Sequence, residues 1–76
     1  MGHVIVVYSK LNEEYVEEVD ASSIELLSLQ AIFSTPESDP MYECFPIDNH
    51  QAELLGQQVD VNLNFEQYNY FLEYNT

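Results

Sequence analysis

Two segments near the start of the chain have the hydrophobic patterns of β-strands. Residues His3–Tyr8 form an unbroken apolar run rich in β-branched side chains, which is typical of a strand buried on both faces. Residues Glu14–Val19 alternate instead: Tyr15, Glu17 and Val19 share one face, and Glu14, Val16 and Glu18 share the other. The polar residues 9–13 between them predict a turn. We therefore expect an antiparallel hairpin whose second strand lies near a sheet edge, where charges oppose edge-to-edge pairing.

The segment Ser22–Phe33 has the strongest helical pattern. Ser22 is a favoured N-cap and Glu25 follows three residues later, so the pair predicts a capping box. Apolar side chains fall on two opposite faces: Ile24, Leu27 and Ala31, with Ile32 at the edge, on one face, and Leu26, Leu29 and Phe33 on the other. Such a helix needs cover on both faces. We expect a sheet on one side and a loop, a second helix or a partner protein on the other, with Leu27 and Leu29 both buried.

The middle of the chain predicts irregular structure. Pro36 ends the first helix, because the residue before a proline avoids the helical conformation. Residues 36–40 then predict a polar turn. Residues Met41–Ile47 are mostly apolar or aromatic but include Pro46, which argues against a central strand. We interpret them as an ordered loop or short extended piece that lies over the second face of the first helix.

The remaining residues predict a helix, a connection and a strand. Asp48 followed three residues later by Gln51 predicts another capping box, and the helix that it opens continues to about Gln58. Residues 60–64 are interpreted as a connection or short strand. Residues Gln67–Tyr74 alternate, mostly with tyrosine at every second position, which predicts an aromatic-rich third strand.

These elements, in the order β-β-α-α-β, predict a single acidic α+β domain over residues 1–76. The predicted architecture is a three-stranded antiparallel sheet with two helices on one face. The last strand is expected beside the first, whose continuous apolar run suits a central position. The second face of the sheet is then expected to show tyrosines and acids.

The charge balance limits the function of this domain more than its length does. Fourteen acidic residues stand against one base, Lys10, and the formal net charge is −13. Such a surface repels nucleic acid and anionic lipid and favours a basic protein or a cation, so we expect neither a nucleic-acid nor a membrane partner. The lone Cys44 cannot form an internal disulfide, and the apolar start lacks the basic leader of a signal peptide. A cytoplasmic protein is expected.

The residue types that support catalysis or metal binding do not form a recognisable motif. Cys44 with His3 or His50 would suggest a nucleophile and a base. A free cysteine within an apolar run, however, more often behaves as a small core residue. The acids lack the regular spacing and glycine of a calcium loop, and no glycine-rich phosphate loop or His–Cys metal spacing is present. We expect a protein that is not an enzyme and that needs no cofactor or metal.

Two acidic groups and several tyrosines are candidates for binding a partner. Aromatic residues dominate binding hot spots, whereas acids mainly accelerate and steer encounter. A surface that needed only solubility would normally mix both signs of charge, although solubility and edge protection remain the alternative explanation. The predicted partner-binding residues are Glu14, Glu17 and Glu18 in the hairpin, Glu37, Asp39, Tyr42, Glu43 and Asp48 around the middle loop, and Tyr68 and Tyr70 in the last strand.

Several segments resemble a family of short acidic bacterial proteins. They are PESDPMYECFPI at residues 36–47, QAEL at 51–54 and YNYFLE at 68–73, and the hairpin residues 13–20 are similar too. The resemblance covers most of the chain and implies a bacterial origin. By analogy with small acidic proteins that act beside toxin genes, it also implies similarity to the immunity proteins of polymorphic toxin systems.

Two functions from different classes follow from charge and resemblance. The first is an immunity protein that binds and inhibits a cognate toxin, a nuclease or nucleotide-utilising enzyme with a basic cleft, as a 1:1 heterodimer. The second is a nucleic-acid mimic that inhibits a DNA-binding protein, of the anti-restriction or anti-CRISPR type. A structural accessory subunit is a third. Clustered acids separated by tyrosines favour the immunity protein, because a mimic would space its carboxylates like phosphates.

Overall fold

The computed structural model describes residues 2–59 and 63–75, which form four strands and two helices. In chain order these are β1 (Gly2–Ser9), β2 (Tyr15–Asp20), α1 (Leu26–Phe33), β3 (Phe45–Pro46), α2 (Asn49–Leu55) and β4 (Tyr68–Asn75). All strand pairs are antiparallel, and the sheet order is β2-β1-β4-β3. The α+β class, the antiparallel sheet and the two helices confirm the prediction, but the sheet has four strands rather than three.

Strand β1 lies in the interior of the sheet, between β2 and β4. It pairs with β4 along its whole length, from Gly2 opposite Asn75 to Ser9 opposite Tyr68. On its second side it pairs with β2, from Val4 opposite Asp20 to Tyr8 opposite Tyr15. The predicted positions of the last strand beside the first and of β2 at an edge are therefore confirmed.

The additional strand, β3, comes from the segment that the sequence placed over α1. Phe45 pairs with Leu72 and Pro46 with Phe71, and the Ile47 N–H donates to the Tyr70 carbonyl at 2.9 Å. Of the two predicted alternatives, the short extended piece is confirmed for these residues, and the Phe45 ring contacts that of Phe33 of α1 (centroids 5.7 Å apart). Proline has no backbone N–H to donate to a neighbouring strand. Pro46 is tolerated because β3 is an edge strand, which has a neighbouring strand on one side only.

Helix α1 begins at Leu26, so the predicted capping box of Ser22 and Glu25 was wrong. The side chain of Asp20 accepts a hydrogen bond from the Ser22 N–H at 2.9 Å, and the two hydrogen bonds with Ser22 hold the pKa of Asp20 below its usual range. The Ile24 N–H donates to the Ala21 carbonyl at 3.1 Å. The N–H groups of Ser22 and Ile24 are therefore hydrogen-bonded within a local turn, and the helix begins only after this turn.

The apolar side chains of α1 are covered unequally, and the division does not follow the two predicted faces. Leu29 is fully buried, which confirms its prediction, whereas the prediction for Leu27 was wrong because its side chain is 62% exposed. Leu29 joins the core cluster that also contains Leu55 of α2 and Leu72 of β4. Leu26, which was predicted on the same face as Leu29, is 40% exposed.

Helix α2 has the predicted capping box. The Asp48 side chain accepts from the Gln51 N–H at 2.9 Å, and the Gln51 side chain accepts from the Asp48 N–H at 3.1 Å. The helix ends at Leu55, before the predicted Gln58. Most of the connection or strand predicted for residues 60–64 lies outside the described residues.

Two polar side chains in the core hold the irregular segment between α1 and β3. Gln30 Nε2 donates to the carbonyls of Glu37 and Asp39, at 3.0 and 2.7 Å. His3 Nε2 donates to the carbonyl of Met41 at 2.8 Å. Met41 is fully buried and has a left-handed backbone (φ 58°). These bonds satisfy carbonyl groups that burial would otherwise leave unpaired.

Candidate protein-binding surface

The face of the sheet that points away from both helices is the best-defined candidate surface, and we call it the open face. Side chains of residues paired across antiparallel strands lie on the same face. The open face therefore consists of Val4, Val6, Tyr8, Tyr15, Glu18, Asp20, Pro46, Asn69, Phe71 and Glu73. Val6 is buried there by its neighbours, yet it is not a member of the core cluster beneath the helices.

Three aromatic rings form a row across β2, β1 and β4 on the open face. The Tyr8 ring lies between the other two, with edge-to-face contacts to Tyr15 (centroids 6.4 Å apart) and to Phe71 (5.6 Å). Tyr15 is 56% exposed, whereas Tyr8 and Phe71 are half-buried. Edge-to-face geometry stabilises such pairs, so the row presents a preformed aromatic surface to solvent.

A β-bulge places Tyr15 in this row. Val7 pairs with Glu17, but the next residue, Tyr8, pairs with Tyr15, so Val16 is the additional residue in β2. The bulge reverses the face on which Tyr15 lies, as bulges commonly do near binding sites. The regular alternation predicted Tyr15 beside Glu17 and Val19, and that prediction was wrong.

One end of the aromatic row borders a shallow groove of about 330 Å³, which we call the groove. Its lining residues are Tyr8, Glu13, Cys44, Asn69, Phe71 and Glu73. The walls combine two aromatic rings with the carboxylates of Glu13 and Glu73. The Cys44 thiol lies 3.8 Å from Oε2 of Glu73.

The titratable groups around the row lie in a negative electrostatic environment. Desolvation and then the charge of Glu73 raise the pKa of the Tyr8 hydroxyl. Desolvation and then the charge of Glu18 raise the pKa of the Tyr15 hydroxyl. Desolvation and the Glu73 carboxylate also raise the pKa of the Cys44 thiol. A positively charged group from a partner would relieve this accumulation of negative charge.

The position of Cys44 does not support a nucleophile and base pair. The residue is exposed, so its assignment as a small core residue was wrong. A raised pKa keeps the thiol protonated and weakly nucleophilic. His3 bonds to Met41 on the helix side of the sheet, and His50 is exposed on α2. No group of three metal-binding side chains occurs among residues 2–59 and 63–75.

The predicted hairpin acids divide between different surfaces. Glu18 pairs with Val6 and lies on the open face, whereas Glu17 pairs with Val7 and lies on the opposite face of β2. Glu14 precedes β2, and its side chain accepts from Asn12 at 3.3 Å. Of these three acids, Glu18 alone belongs to the open face.

Two of the predicted middle-loop acids have local structural partners. Asp48 caps α2, and the Asp39 side chain accepts from the Met41 N–H at 2.8 Å. Glu37 and Glu43 are exposed. Tyr42 is 63% exposed, and its ring lies 4.5 Å from that of Tyr74, whose strand partner is His3. Tyr42 therefore belongs to the helix side of the sheet, away from the open face.

The predicted tyrosines of the last strand point into the molecule. Tyr70 is only 5% exposed, and its hydroxyl accepts from the Asn64 N–H at 2.7 Å. Tyr68 is half-buried and packs against the same core. The aromatic rings on the open face are instead those of Tyr8, Tyr15 and Phe71. The alternation of β4 placed Phe71 on the same face as Glu73, so the sequence pattern could have predicted Phe71 on the open face. The continuous apolar run that contains Tyr8 does not predict a face for that residue.

The family model described as "Domain of unknown function (DUF7683)" matches residues 3–73. The chain belongs to the DUF7683 family. No curated protein and no solved structure matches the chain. The matched range of this DUF7683 domain contains every residue of the open face and of the groove.

The helices of this DUF7683 domain are short. The longer of the two in the described residues, α1, has eight residues. Within residues 2–59 and 63–75, no helix has the length and apolar character that crossing a membrane requires.

Proposed function

We propose that this protein is an immunity protein that inhibits a bacterial toxin by binding it through the open face. The observation that carries the proposal is the aromatic row on the open face, bordered by carboxylates in a chain of net charge −13. Aromatic residues supply most of the energy of protein interfaces, and complementary charge accelerates encounter. The resemblance to short acidic bacterial proteins supports toxin inhibition by analogy.

The charge of the open face defines the class of partner. Glu18, Asp20 and Glu73 lie beside the row, and the chain contains no arginine and a single lysine. A basic protein surface complements these charges, whereas the phosphates of nucleic acid would be repelled. Basic clefts are typical of enzymes that cut nucleic acid or bind nucleotides, so the proposed target is a toxin of that kind. Occupation of its cleft would exclude the substrate.

We expect the protein to inhibit the toxin by stoichiometric binding rather than by catalysis. The exposed thiol has a raised pKa, which disfavours nucleophilic chemistry. We expect inhibition of purified toxin to increase linearly with added protein and to be complete near one equivalent. Inhibition by a small fraction of an equivalent would indicate a catalytic mechanism and contradict this part of the proposal.

Co-expression with the product of the adjacent gene tests the proposed function. We expect the parent protein to restore growth to cells that express this gene product. The double substitution Glu18→Lys with Glu73→Lys reverses two charges on the open face and should abolish the rescue. Glu53→Lys with Glu66→Lys changes net charge equally at two other exposed residues and should retain it.

A second pair of variants locates the aromatic contribution. Tyr15 and Tyr42 are exposed to a similar extent but lie on opposite sides of the sheet. Tyr15→Ser should weaken rescue, and Tyr42→Ser should leave it intact. Loss of rescue in Tyr42→Ser, with full rescue in Tyr15→Ser, would place the interface on the helix side of the sheet and contradict the open-face proposal. Absence of both toxicity and rescue would contradict the immunity function.

A further inference from the structure

We propose that the groove binds one arginine side chain of the partner protein. This inference rests on the proposed function and deepens it, because it names the chemical group that the open face recognises. The groove joins the aromatic row at Tyr8 and Phe71, so a partner lying on the row could insert a side chain there.

The walls of the groove fit a planar cation. Tyr8 and Phe71 contact each other edge-to-face, with their ring planes inclined by 78°. A guanidinium group stacks on aromatic faces and is more weakly hydrated than an ammonium group. These properties favour arginine over lysine at a site with aromatic walls.

The carboxylates of the groove provide the matching charge. Glu73 is half-buried between the row and Cys44, and Glu13 lines the same groove. An arginine can donate two parallel hydrogen bonds to one carboxylate, and such pairs are stronger than neutral hydrogen bonds. The only base of the chain, Lys10, donates to the carbonyl of Phe65. Neutralisation of the groove by arginine therefore requires a second molecule.

The turn between β1 and β2 places Glu13 beside the groove. Glu13 has a left-handed conformation (φ 58°), fixed by a hydrogen bond from its N–H to the Ser9 carbonyl at 2.8 Å. Non-glycine residues occupy this region rarely and at an energetic cost. A glycine here would avoid the strain but would remove the carboxylate from the groove.

The volume of the groove is suited to one side chain. At about 330 Å³ it lies near the lower end of the range for small-molecule pockets, which is roughly 300–1,000 Å³. The groove has walls on the sheet and opens to solvent, so an arginine can enter it while its own backbone remains on the aromatic row.

Titration of the isolated protein with small amides tests this inference without the toxin. The probe is N-acetyl-arginine amide, and the controls are the corresponding amides of lysine, of norleucine and of citrulline, the neutral analogue closest in shape. We expect the arginine probe to shift the NMR ring resonances of Tyr8 and Phe71 and to reach saturation. Citrulline and norleucine should give no saturable shift, and lysine should bind more weakly than arginine.

Matched variants assign the binding to the groove. Glu73→Gln should weaken binding of the arginine probe about tenfold, because a hydrogen bond to a charged group is lost. Glu53→Gln, at an exposed residue of α2, should leave the affinity unchanged. Phe71→Leu, with a folded proton spectrum as the check on its structure, should also weaken binding.

Three results would overturn the inference: equal shifts with citrulline, equal affinity in Glu73→Gln, or shifts that avoid Tyr8 and Phe71. These outcomes are separable from those of the rescue assay. Rescue that depends on the open face, without arginine binding, refutes the groove alone. Saturable arginine binding without rescue refutes the immunity function and leaves the groove as an arginine site.

Discussion

Glu73 is the charged neighbour of the Cys44 thiol. Desolvation and the Glu73 carboxylate both raise the pKa of the thiol, and the Sγ–Oε2 distance is 3.8 Å. Replacing the carboxylate by an amide removes the second of these causes, so the thiol pKa should fall toward its ordinary value and more thiolate should be present at mildly alkaline pH. We expect Glu73→Gln to increase the rate of iodoacetamide alkylation of Cys44.

The pH dependence of the alkylation rate gives the measurement. The rate profile of Glu73→Gln should shift to lower pH than that of the parent protein. Glu53→Gln removes a carboxylate at an exposed position of α2 and serves as the control, with an unchanged profile. Superimposable profiles for the parent and Glu73→Gln would mean that this carboxylate does not influence the thiol.

At the scale of elements, α1 distinguishes a buried face from an exposed one. Leu29 is fully buried, whereas Leu27, two residues earlier, is 62% exposed. Leu29→Ala should lower the free energy of unfolding by about 2–5 kcal/mol, since it removes core contacts and leaves a cavity. Leu27→Ala should change it by no more than about 0.5 kcal/mol, as at other exposed positions.

Urea denaturation of both α1 variants provides the comparison. Similar losses for Leu27→Ala and Leu29→Ala would mean that both faces of the helix are covered, as the sequence alone predicted. The matched substitution of leucine by alanine in the same helix controls for the change in helix propensity. The difference between the two variants therefore measures burial alone.

Elements with a strong periodic pattern could be predicted, whereas those fixed by a few specific contacts could not. The apolar run of β1 and the Asp48–Gln51 capping box were sufficient to predict a central strand and the start of α2. Strand β3 has two residues, one of them proline, and its pairing with β4 has no periodicity to detect. The start of α1 depends on the side chain of Asp20, which accepts from Ser22.

The predicted binding residues coincide with the open face at one position only. The acidic charge and the aromatic content predicted a binding surface, and of the predicted residues Glu18 lies on the open face. Tyr15 reaches the open face through a bulge that the alternation of β2 does not reveal. Tyr70 is directed into the core, because its face of β4 is the one that the helices cover. The burial of a tyrosine depends on tertiary packing, which composition does not specify.

For the whole molecule, net charge opposes folding. A net charge of −13 on 76 residues favours expansion through self-repulsion. Raising ionic strength from about 0.01 to about 0.15 M shortens the Debye length from about 30 to about 8 Å and should stabilise the fold. Each kcal/mol recovered should raise Tm by about 4–8 °C.

Thermal denaturation across a sodium chloride series tests the effect of charge. Glu53→Lys with Glu66→Lys changes the net charge from −13 to −9, so Tm should rise less with salt than in the parent protein. A Tm that is independent of salt, or that falls, would mean that self-repulsion is not a significant part of the stability of this fold.

Association kinetics with the toxin test the central claim, that the acidic open face recognises a basic partner. In stopped-flow binding across a salt series, the parent protein should associate well above the roughly 10⁵–10⁶ M⁻¹s⁻¹ of a neutral pair at low salt and should slow as salt increases. The variant Glu18→Lys with Glu73→Lys should associate more slowly than the variant Glu53→Lys with Glu66→Lys. Only the first variant should also dissociate faster than the parent protein, because the dissociation rate reports short-range contacts. An association rate that is indifferent to salt, with the two double variants behaving alike, would contradict the account.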